Sequence, residues 1–545
     1  MKQLVALLLA AGFITGCTKV GTQGGTAGSS GPNSFTQAHV LRYATAEDIS
    51  SLNPHLSQQT TLSLMSSLTM AWLLKWDHKN QPIPELATEV PTKANGGISA
   101  DGLTITYHLR KDAKWSDGVP FNADDVVFTT AVVLNKANNE VSRAGWDKIT
   151  KVDEPDKYTV VYHLTKPYSP FVTTFFSSAG ANPCILPKHI LSGLPNINNA
   201  PYNSLPIGIG PFKYKSWKRS DSVTMVPNPT YFRGTPKLQK VVFQIVPDRN
   251  TVMTQLQSQS LDLWYPVPGS YFSRFPTLHG YSFIRQPAYL FNHQDFNLSS
   301  PKVSDVRVRK ALEFAMDRAE FRHKIAHDVG YLQEEPAPQT APYWDPGIKM
   351  VPFDLAKANE LLDQAGWVRG ADGLRAKNGV KLSLNYAAIV GSPDVDQQLE
   401  LMRVNFKKVG ADLDIHHYSS ATYFQPMESG GILYSGKWDM TGFAWGADPI
   451  GDWSFLYACD AIPPAGQNDL HWCNKKVDAA THALFAHYDQ AERNQDDKAV
   501  FEGLAQDTPM IVTSGREDIY IFNSDLKNFH PNDVTPFDDM MNVDI

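Results

Sequence analysis

Residues 238–267 follow a strand, helix, strand order, and this order restricts the fold of the chain more than any other feature. The segment reads LQKVVFQIVPDRNTVMTQLQSQSLDLWYPV: a near-continuous apolar run, a stretch of helical character, and a second apolar run around LDLWY. Such an order is typical of a βαβ unit, in which a helix joins two parallel strands of a buried sheet. We therefore predict an α/β fold.

A second α/β set occupies residues 352–419. Helix, strand, helix and strand alternate in the segments PFDLAKANELLDQAGW, KLSLNYAAIV, QQLELMRVNFKKVG and ADLDIHHYS. Because 545 residues exceed what one hydrophobic core organises, we expect two or three domains. We predict two α/β lobes, with the chain crossing between them near residues 285–300 and returning near residues 505–515.

Three further segments carry helix signals. FNADDVVFTTAVVL begins with Asn122 and Asp125 at capping-box spacing, with Asp in place of the usual Glu. An apolar helix is predicted over TTLSLMSSLTMAWLLKWD (residues 60–77). A long helix is predicted over SDVRVRKALEFAMDRAEFRHKIAHDVGY (residues 304–331).

The N-terminus predicts export and anchoring. Residues 4–14 form an apolar stretch of 11 residues, which is too short for the ~20 residues of a membrane-spanning helix and indicates a secretory signal. The stretch ends in ITGC, which is similar to the bacterial lipobox, so residues 1–17 are predicted to be a lipoprotein signal with acylation of Cys17. Residues 18–37 are rich in Gly, Ser and Thr and predict a flexible tether. A non-lipidated signal cleaved nearby is the alternative.

Export makes the remaining cysteines candidates for a disulfide. Cys459 and Cys473 flank the polar, Pro- and Gly-containing loop DAIPPAGQNDLHW. A bridge between them would close a loop of about 15 residues. We predict the pair Cys459–Cys473 and an unpaired, buried Cys184.

The motifs of common catalytic and cofactor sites are missing from the sequence. It contains no GxSxG, HExxH, Walker or GxGxxG motif, so hydrolase, metalloprotease and nucleotide-binding functions lack motif support. No Cys/His set has zinc spacing, and His323 and His327 are interpreted as a solvated helical face. His416 and His417 are adjacent on a predicted strand and point to opposite faces, so only one of them could line a given site. We predict no cofactor, no metal and no enzymatic activity. An exported enzyme with an unrecognised site is the alternative from another class.

Residues 445–455, WGADPIGDWSF, place two aspartates in an aromatic setting. Asp-Pro and Gly-Asp steps are typical of turns, so the segment is predicted to be a loop. A carboxylate in such a loop can be a plain turn residue or cap, or it can be the receptor of a cation. The residues alone leave both roles open.

Ordered blocks along the chain resemble the bacterial extracellular solute-binding proteins of the peptide and nickel class, family 5, which serve ABC importers. They occur in family order and cover most of the chain from about residue 40 to 530. The blocks are SLNPHL, WSDGVPFNADDVVFT, GIGPFKYKSW, VPNPTYFRGTPKLQKVVFQIVPD, FNLSSPKVSDVRVRKALEFAMDR, AKANELLDQAGW and WDMTGFAWGADPIGDWSF.

The resemblance implies the large periplasmic-binding-protein fold, with two α/β lobes, a hinge and an extra β-rich domain. Lobe I would comprise residues 38–76, 196–292 and 508–545, domain II residues 77–195, and lobe III residues 293–507. Ligand would be enclosed between lobes I and III by hinge closure.

The resemblance also implies a ligand site in the aromatic loop. In peptide-binding members an aspartate of the WxAD loop pairs with the α-ammonium of the peptide, and Asp448 matches that position. Trp445 would wall the site, with Gly446 and Ala447 beside it. The alternative, a turn residue before Pro449, remains open.

One position departs from the family pattern. Oligopeptide-binding relatives can carry an arginine three residues before the loop tryptophan, where it meets the carboxylate of a short peptide, and Gly442 stands there in this chain. Without this arginine, three alternatives are open: the site accepts longer peptides, it uses another cation to bind the carboxylate, or it binds a non-peptide solute. Asp452 is expected to cap the short helix WSFLYA.

The function implied by the resemblance is that of a substrate-binding lipoprotein, which captures peptides and delivers them to an ABC permease in the cytoplasmic membrane. The protein would be a monomer, periplasmic or at the outer face of that membrane, and attached to it through the lipid only. A metal chelate or another non-peptide solute is the alternative ligand. For a chelate, His416 or His417 would become a stronger candidate for the binding site. The net charge of −7, without a Lys or Arg run, speaks against nucleic acid as a partner.

Overall fold

The computed structural model describes residues 32–545, apart from 58, 78, 144, 179–182, 391–392, 426, 428–429 and 448–450. Strands and helices interleave along the described chain. The strands are β1 (Val40–Thr45), β2 (Leu74–Trp76), β3 (Pro82–Pro84), β4 (Thr104–His108), β5 (Ile149–Asp156), β6 (Thr159–Leu164), β7 (Phe212–Lys218), β8 (Ser222–Pro227), β9 (Lys240–Ile245), β10 (Leu263–Trp264), β11 (Tyr281–Phe296), β12 (Val368–Arg369), β13 (Arg375–Lys377), β14 (Val380–Lys381), β15 (Ser383–Ile389), β16 (Asp412–Tyr418), β17 (Met440–Gly446) and β18 (Met510–Asn523).

Helices fill the intervals between these strands. Within the described ranges, none of them is both long and apolar enough to cross a membrane. The α-helices are α1 (Thr60–Thr69), α2 (Ala123–Leu134), α3 (Pro170–Thr174), α4 (Lys188–Leu191), α5 (Arg249–Gln257), α6 (Gly269–Phe272), α7 (Val306–Phe314), α8 (Arg318–Lys324), α9 (Leu355–Gln364), α10 (Pro393–Val409), α11 (Ser420–Tyr423), α12 (Ser454–Tyr457), α13 (Lys475–Ala483) and α14 (Gln490–Asp507).

Ten strands form one mixed sheet that runs through the molecule. Their order is β16-β15-β17-β11-β18-β10-β1-β9-β8-β7. β1 lies between β9 and β10 and is parallel to both, so the predicted strand, helix, strand unit of β9, α5 and β10 has β1 inserted between its strands. The predicted α/β fold class is confirmed.

β11 and β18 are long antiparallel strands of 16 and 14 residues. Their register runs from the pair Tyr281–Asn523 to the pair Asp295–Met510. β10 pairs with one end of β18, and β17 pairs with the opposite end of β11. The chain therefore passes between the two halves of the sheet within β11 and returns within β18, close to the predicted crossings.

The start of α2 follows the capping signal in the sequence. Asn122 is the N-cap residue, and its side chain accepts a hydrogen bond from the N–H of Asp124 at 2.8 Å. The carboxylate of Asp125 in turn accepts the N–H of Asn122 at 3.3 Å. The predicted capping box is confirmed, with Asp serving in the place of Glu.

Two helix predictions were wrong in length. The helix predicted over residues 60–77 ends at Thr69, and Leu74–Trp76 instead forms β2, which pairs with β3. The helix predicted over residues 304–331 is divided into α7 and α8, because Asp317 begins a new helix by accepting the N–H of Glu320. Apolar periodicity identified the helices but not their ends.

The hydrophobic core is divided into several clusters. One is confined largely to residues 71–209, where β4, β5 and β6 form a separate sheet, and it contains the buried rings of Trp115, Phe121 and Phe171. Other clusters lie on the two halves of the large sheet. This separation suits three domains, although the bounds given above for lobe I, domain II and lobe III stay a prediction.

Cys459 and Cys473 are joined by a disulfide in the structure. The two residues are 14 positions apart in the sequence, and their Cα atoms are 4.7 Å apart. Cys184 is a buried free cysteine within the hydrophobic cluster that also contains Tyr202 and Tyr214. The bridge therefore fixes one loop beside α12 and leaves a single thiol in the core of the described chain.

Replacing both Cys459 and Cys473 by Ser is expected to lower the free energy of unfolding by about 3 kcal/mol, because the bridge restricts a loop of about 15 residues in the unfolded chain. Denaturant unfolding of the oxidised protein and the double variant measures this loss. Non-reducing peptide mapping checks the connectivity. A peptide joining Cys184 to either partner would contradict the assignment.

Candidate functional site

β17 brings the aromatic end of the predicted loop into the sheet. It lies between β11 and β15, with Trp445 opposite Phe291 and Phe443 opposite His293. Because side chains alternate along a strand, Phe443 and Trp445 project from the same face. Trp445 packs there against the cluster that contains Phe291 and the apolar side chains of α12, α13 and α14.

Four rings form a continuous surface on this face, here called the aromatic wall: Phe424, Phe443, Trp445 and Phe455. Successive ring centroids are 5.6 Å apart from Phe424 to Phe443, 5.4 Å from Phe443 to Trp445, and 6.3 Å from Trp445 to Phe455. Phe424 is 41% exposed and Phe455 is 39% exposed, and the two middle rings are half-buried. Contiguous exposed apolar surface of this kind is typical of a site that contacts a ligand or a partner.

Behind the wall lies a buried polar group formed by His293, Asp295 and Asp469. Nδ1 of His293 and Oδ1 of Asp295 are 2.7 Å apart, and each of the two side chains is 1% exposed. Burial raises the pKa of Asp469 well above its usual value, and the neighbouring charge of Asp295 adds to this effect. A protonated Asp469 can donate a hydrogen bond to Asp295. Nε2 of His293 and the Oδ2 atoms of Asp295 and Asp469 have no hydrogen-bond partner among the described residues. The His293 ring, 4.5 Å from Phe443, then gives the wall a fixed base.

The described ends of the loop are both anchored. The N–H of Ala447 donates to the carbonyl oxygen of Tyr289 at 2.9 Å, whereas Gly446 is exposed. At the other end the buried Trp453 donates from Nε1 to Oδ1 of Asp497 at 2.8 Å. Asp448 lies outside the described residues, so its role as an ammonium receptor stays a prediction.

Asp452 supports the start of α12. Its Oδ1 accepts the N–H of Ser454 at 3.0 Å and the Oγ–H of the same residue at 2.8 Å. The carboxylate therefore acts one position ahead of the N-cap residue Trp453. Burial raises the pKa of Asp452, while the hydrogen bonds from Ser454 and the charge of Arg493 lower it.

Gly442, the position that departs from the family pattern, faces away from the aromatic wall. Its place in β17 differs by an odd number of residues from those of Phe443 and Trp445, so it belongs to the opposite face. An ideal Cβ at Gly442 would lie 2.5 Å from Nε2 of Gln294 and 2.6 Å from Oη of Tyr386. These two groups hydrogen-bond to each other at 2.6 Å in the buried core. The local packing therefore excludes an arginine at this position.

The histidine pairs noted in the sequence are engaged at the surface. His416 lies 3.1 Å from Asp414, and His417 lies 3.0 Å from Asp396, on the edge strand β16. The side chain of His323 is 74% exposed and lies 3.0 Å from Asp328. None of these three contacts brings a histidine to the aromatic wall.

One group of side chains in the described ranges has the geometry to hold a metal ion: Asp460, Asp478 and His482, whose ligand atoms lie within 4.8 Å of one another. Asp460 and His482 are exposed. Asp478 already accepts the N–H of Cys459 at 2.8 Å and lies 3.7 Å from the ammonium group of Lys475. We therefore interpret these three side chains as a polar surface beside the disulfide.

The predicted domain II contacts predicted lobe III directly near the loop. Oγ of Ser169 donates to the carbonyl oxygen of Leu484 at 2.6 Å, and Arg493 donates to the same Oγ at 2.6 Å. The rings of Tyr168 and Phe485 are 5.4 Å apart. Residues far apart in the sequence thus meet beside the segment that follows Asp448.

Sequence reasoning identified Trp445 but missed most of the wall around it. The alternation of aromatic residues in β17 was a usable signal for Phe443. Phe455 ends the segment 445–455, but nothing in the sequence indicates that its ring is exposed. Phe424 follows α11, 21 residues before Trp445, and nothing in its local sequence connects it to the loop.

Comparison with known proteins relates the chain to one family. The sequence model of the bacterial extracellular solute-binding proteins, family 5 Middle, matches residues 81–464. Oligopeptide-binding protein AppA of Bacillus subtilis is 24% identical over 454 residues, which cover 82% of this chain and 80% of that protein. The match therefore extends over most of both chains.

Solved structures share the fold. AppA from Bacillus subtilis in complex with a nonapeptide has a TM-score of 0.71 at 21% identity, and the match covers 92% of this chain and 98% of that chain. CtaP from Listeria monocytogenes, an ABC transporter substrate binding protein, reaches 0.78 at 23% identity, with 92% and 98% covered. NikZ from Campylobacter jejuni in complex with Ni(L-His) reaches 0.71 at 24% identity, with 91% and 96% covered.

Replacing Gly442 by Ala is expected to lower the free energy of unfolding by about 1–3 kcal/mol, because the added methyl displaces a buried hydrogen-bonded pair. Gly446→Ala is the matched control in the same strand, since the nearest atom to its ideal Cβ is the carbonyl oxygen of Tyr289 at 4.0 Å. Urea unfolding of the two variants measures the difference. Equal stability of both variants would contradict the tight packing at Gly442.

Proposed function

Because the chain belongs to the bacterial extracellular solute-binding proteins of family 5, we propose that it captures peptides between two lobes and delivers them to the permease of an ABC importer. The protein binds and releases its ligand without changing it. It acts as a monomer outside the cytoplasm. The peptide-binding relative AppA and the ABC transporter protein CtaP support this proposal.

The observation that carries the proposal is the aromatic wall. Phe424 and Phe455 leave 41% and 39% of their surface uncovered, beside a loop whose backbone ends are fixed. Ligand sites combine such apolar surface with a few placed polar groups. A peptide supplies both kinds of partner, since its side chains cover the rings and its backbone and termini meet the polar groups.

A peptide on the wall would lie close to the boundary between the two lobes. Val534, in the predicted lobe I, packs against the same hydrophobic cluster as Trp445, in the predicted lobe III. β11 and β18 connect these halves, and a small change in such connecting strands allows hinge closure. Closure around a peptide would bury the exposed rings of the wall.

Asp448 would add charge recognition to this apolar surface. It follows Ala447 at the end of the wall, which matches the amine-binding position implied by the sequence. A hydrogen bond to an ionised group contributes about 1.5–3 kcal/mol, and a buried charge without a partner is costly. Such a residue favours a peptide with a free ammonium group over a neutral solute.

A metal chelate is the ligand bound in the relative NikZ. In this chain His416 and His417 lie on the outermost strand of the sheet and pair with acidic residues. The buried His293 is paired with Asp295. The positions of His416 and His417 therefore favour the peptide over the chelate.

The N-terminal residues would attach the receptor to the membrane. Cleavage before Cys17 and acylation of its sulfur leave residues 18–31, which precede the described residues, as a flexible tether with a reach of roughly 20 Å. The folded body would then stay near the permease while moving freely at the membrane surface. Residues 32–37, which the sequence assigned to the tether, belong instead to the folded body, because the N–H of Asn33 and the hydroxyl of Thr36 donate to Asp525 and the ring of Phe35 stacks on Tyr281. The predicted tether was therefore too long at its C-terminal end, and the proposal for residues 18–31 rests on the sequence.

Replacing Cys17 by Ser is expected to release the protein from the membrane, because the variant cannot be acylated. Membrane and soluble fractions of cells that produce each form are compared by immunoblot. Cys184→Ser is the matched control and should stay with the membrane. A Cys17→Ser protein that remains in the membrane fraction would contradict the anchor.

Replacing Asp448 by Asn is expected to weaken peptide binding by roughly 3–5 kcal/mol if the cleft buries the ammonium group, the usual cost of leaving one buried charge unpaired. Acetylating the peptide amine should weaken binding strongly in the wild type and much less in the variant, because both changes remove the same interaction. Isothermal titration calorimetry measures the four affinities. Asp460→Asn, a change at an exposed carboxylate, is the control. Equal losses on acetylation in the wild type and Asp448→Asn would assign Asp448 to the turn alone.

A further inference from the structure

A cavity of about 250 Å³ lies where α1, Ser178 and the C-terminal segment around Thr535 meet. Its lining is rich in hydroxyl groups, supplied by Thr60, Ser63, Ser67, Ser178, Thr535 and the phenol of Tyr265. Asp533 is the only charged residue in the described lining. Pockets that enclose whole drug-sized ligands measure roughly 300–1,000 Å³, so this cavity suits a single side chain or a similar small group.

Asp533 stands at the boundary between the two predicted lobes. Its carboxylate accepts a hydrogen bond from Nδ2 of Asn80 at 3.1 Å and another from Thr340, which belongs to predicted lobe III. Burial raises the pKa of Asp533, whereas these two hydrogen bonds lower it. The side chain is only partly buried, so it remains accessible from the cavity.

A second carboxylate reaches the same region from β18. Asp518 hydrogen-bonds to Tyr265, whose ring lines the cavity and stacks on Tyr520 at 4.3 Å. Burial raises the pKa of Asp518 to about 7, and the charge of Asp533 is the next largest cause of the increase. The charge of Asp533 therefore opposes ionisation of Asp518, as expected for a like charge near a buried acid.

No protein cation compensates this pair in the described part of the chain. Neither Asp518 nor Asp533 lies within 4.0 Å of a Lys, Arg or His nitrogen among the described residues. The charge of Arg516 lowers the pKa of Asp518, but the side chain of Arg516 is exposed on the same strand. Burial without a cation is the condition in which carboxylates are least stable.

Two further polar side chains near the acids lack a hydrogen-bond partner. Gln286 pairs with Asp518 across β11 and β18, is 8% exposed, and has an unpartnered Nε2. The buried hydroxyl of Tyr331 is also unpartnered, and of all charges Asp533 has the largest effect on its pKa. The oxygen of Tyr331 can accept a hydrogen bond from a cationic group, whereas Nε2 of Gln286 is a donor and suits a carbonyl oxygen of the peptide backbone.

We infer that the cavity bounded by Asp533 and Tyr265, together with Asp518, is a subsite for the ammonium or guanidinium group of a basic side chain in a bound peptide. The inference rests on the proposed peptide-binding function and deepens it by naming a preferred ligand class. A cation there accepts no hydrogen bond but donates several, to the two carboxylates and the surrounding hydroxyl oxygens. An uncharged side chain leaves the two acids without compensation. The structure therefore selects peptides that carry Lys or Arg.

The test uses pentaalanine peptides that carry one Arg or one citrulline at each of positions two to five. Citrulline keeps the shape of Arg but has no charge. At one position the Arg peptide should bind wild-type protein at least about tenfold more tightly than its citrulline counterpart, as measured by titration calorimetry. In Asp533→Asn and Asp518→Asn this ratio should fall below about threefold. Asp539→Asn is the matched control, since Asp539 is an exposed acid of the same segment, and its ratio should stay unchanged.

The outcomes separate the subsite from the receptor function. Equal binding of Arg and citrulline peptides at every position, or an Arg preference that survives in both Asn variants, would overturn the subsite while leaving the peptide receptor intact. Binding of no peptide by the wild type would overturn the receptor function and this inference with it.

N-acetylated peptides complete the test. Acetylated Arg peptides should keep their advantage over acetylated citrulline peptides if the cavity takes a side chain. Loss of that advantage on acetylation would assign the cavity to the peptide N-terminus instead, and the inference of a basic side chain would be wrong. Far-UV circular dichroism and urea unfolding of Asp533→Asn and Asp518→Asn establish that both variants fold, so that a reduced ratio reports the site.

Discussion

The pairing of β11 with β18 is the constraint on which the rest of the structure depends. These two strands join the halves of the ten-stranded sheet, and the other strands attach to one of them directly or through neighbours. The ladder is interrupted after Pro287, which has no N–H to donate. At this interruption the carbonyl oxygen of Tyr289 accepts the N–H of Ala447, and Gly515 forms a bridge with Tyr331. The break in the ladder thus anchors the loop that holds the candidate ligand site.

The two sites treat buried charge in different ways. Behind the aromatic wall, His293 lies 2.7 Å from Asp295, and burial together with the charge of Asp295 raises the pKa of Asp469. Nε2 of His293 and the Oδ2 atoms of the two aspartates have no hydrogen-bond partner among the described residues. At the cavity, no Lys, Arg or His nitrogen of the described residues lies within 4.0 Å of Asp518 or Asp533. A histidine therefore accompanies the acids behind the wall, whereas the subsite that we propose would take its cation from the ligand.

Sequence reasoning succeeded where a structural feature depends on neighbours in the chain. The capping box of Asn122 and Asp125 needs only residues three apart, and it forms as predicted. The apolar run after Thr69 behaves differently. Its apolar residues predict a helix, yet Leu74–Trp76 pairs with Pro82–Pro84 and forms a strand. Periodicity cannot register a hydrogen-bond partner that lies outside the segment.

The sequence by itself determined the α/β class, the family resemblance and the cysteine pair of the loop, and it predicted Trp445 as a ligand-binding residue. Each of these follows from residue types, their order or short spacings along the chain. Only the tertiary structure decided that Phe424 and Phe455 join Trp445 in one surface, that Gly442 faces the core, and that Asp533 and Tyr265 line one cavity. The physical reason is that strand order and packing set these contacts. Both bring together side chains that no local pattern connects.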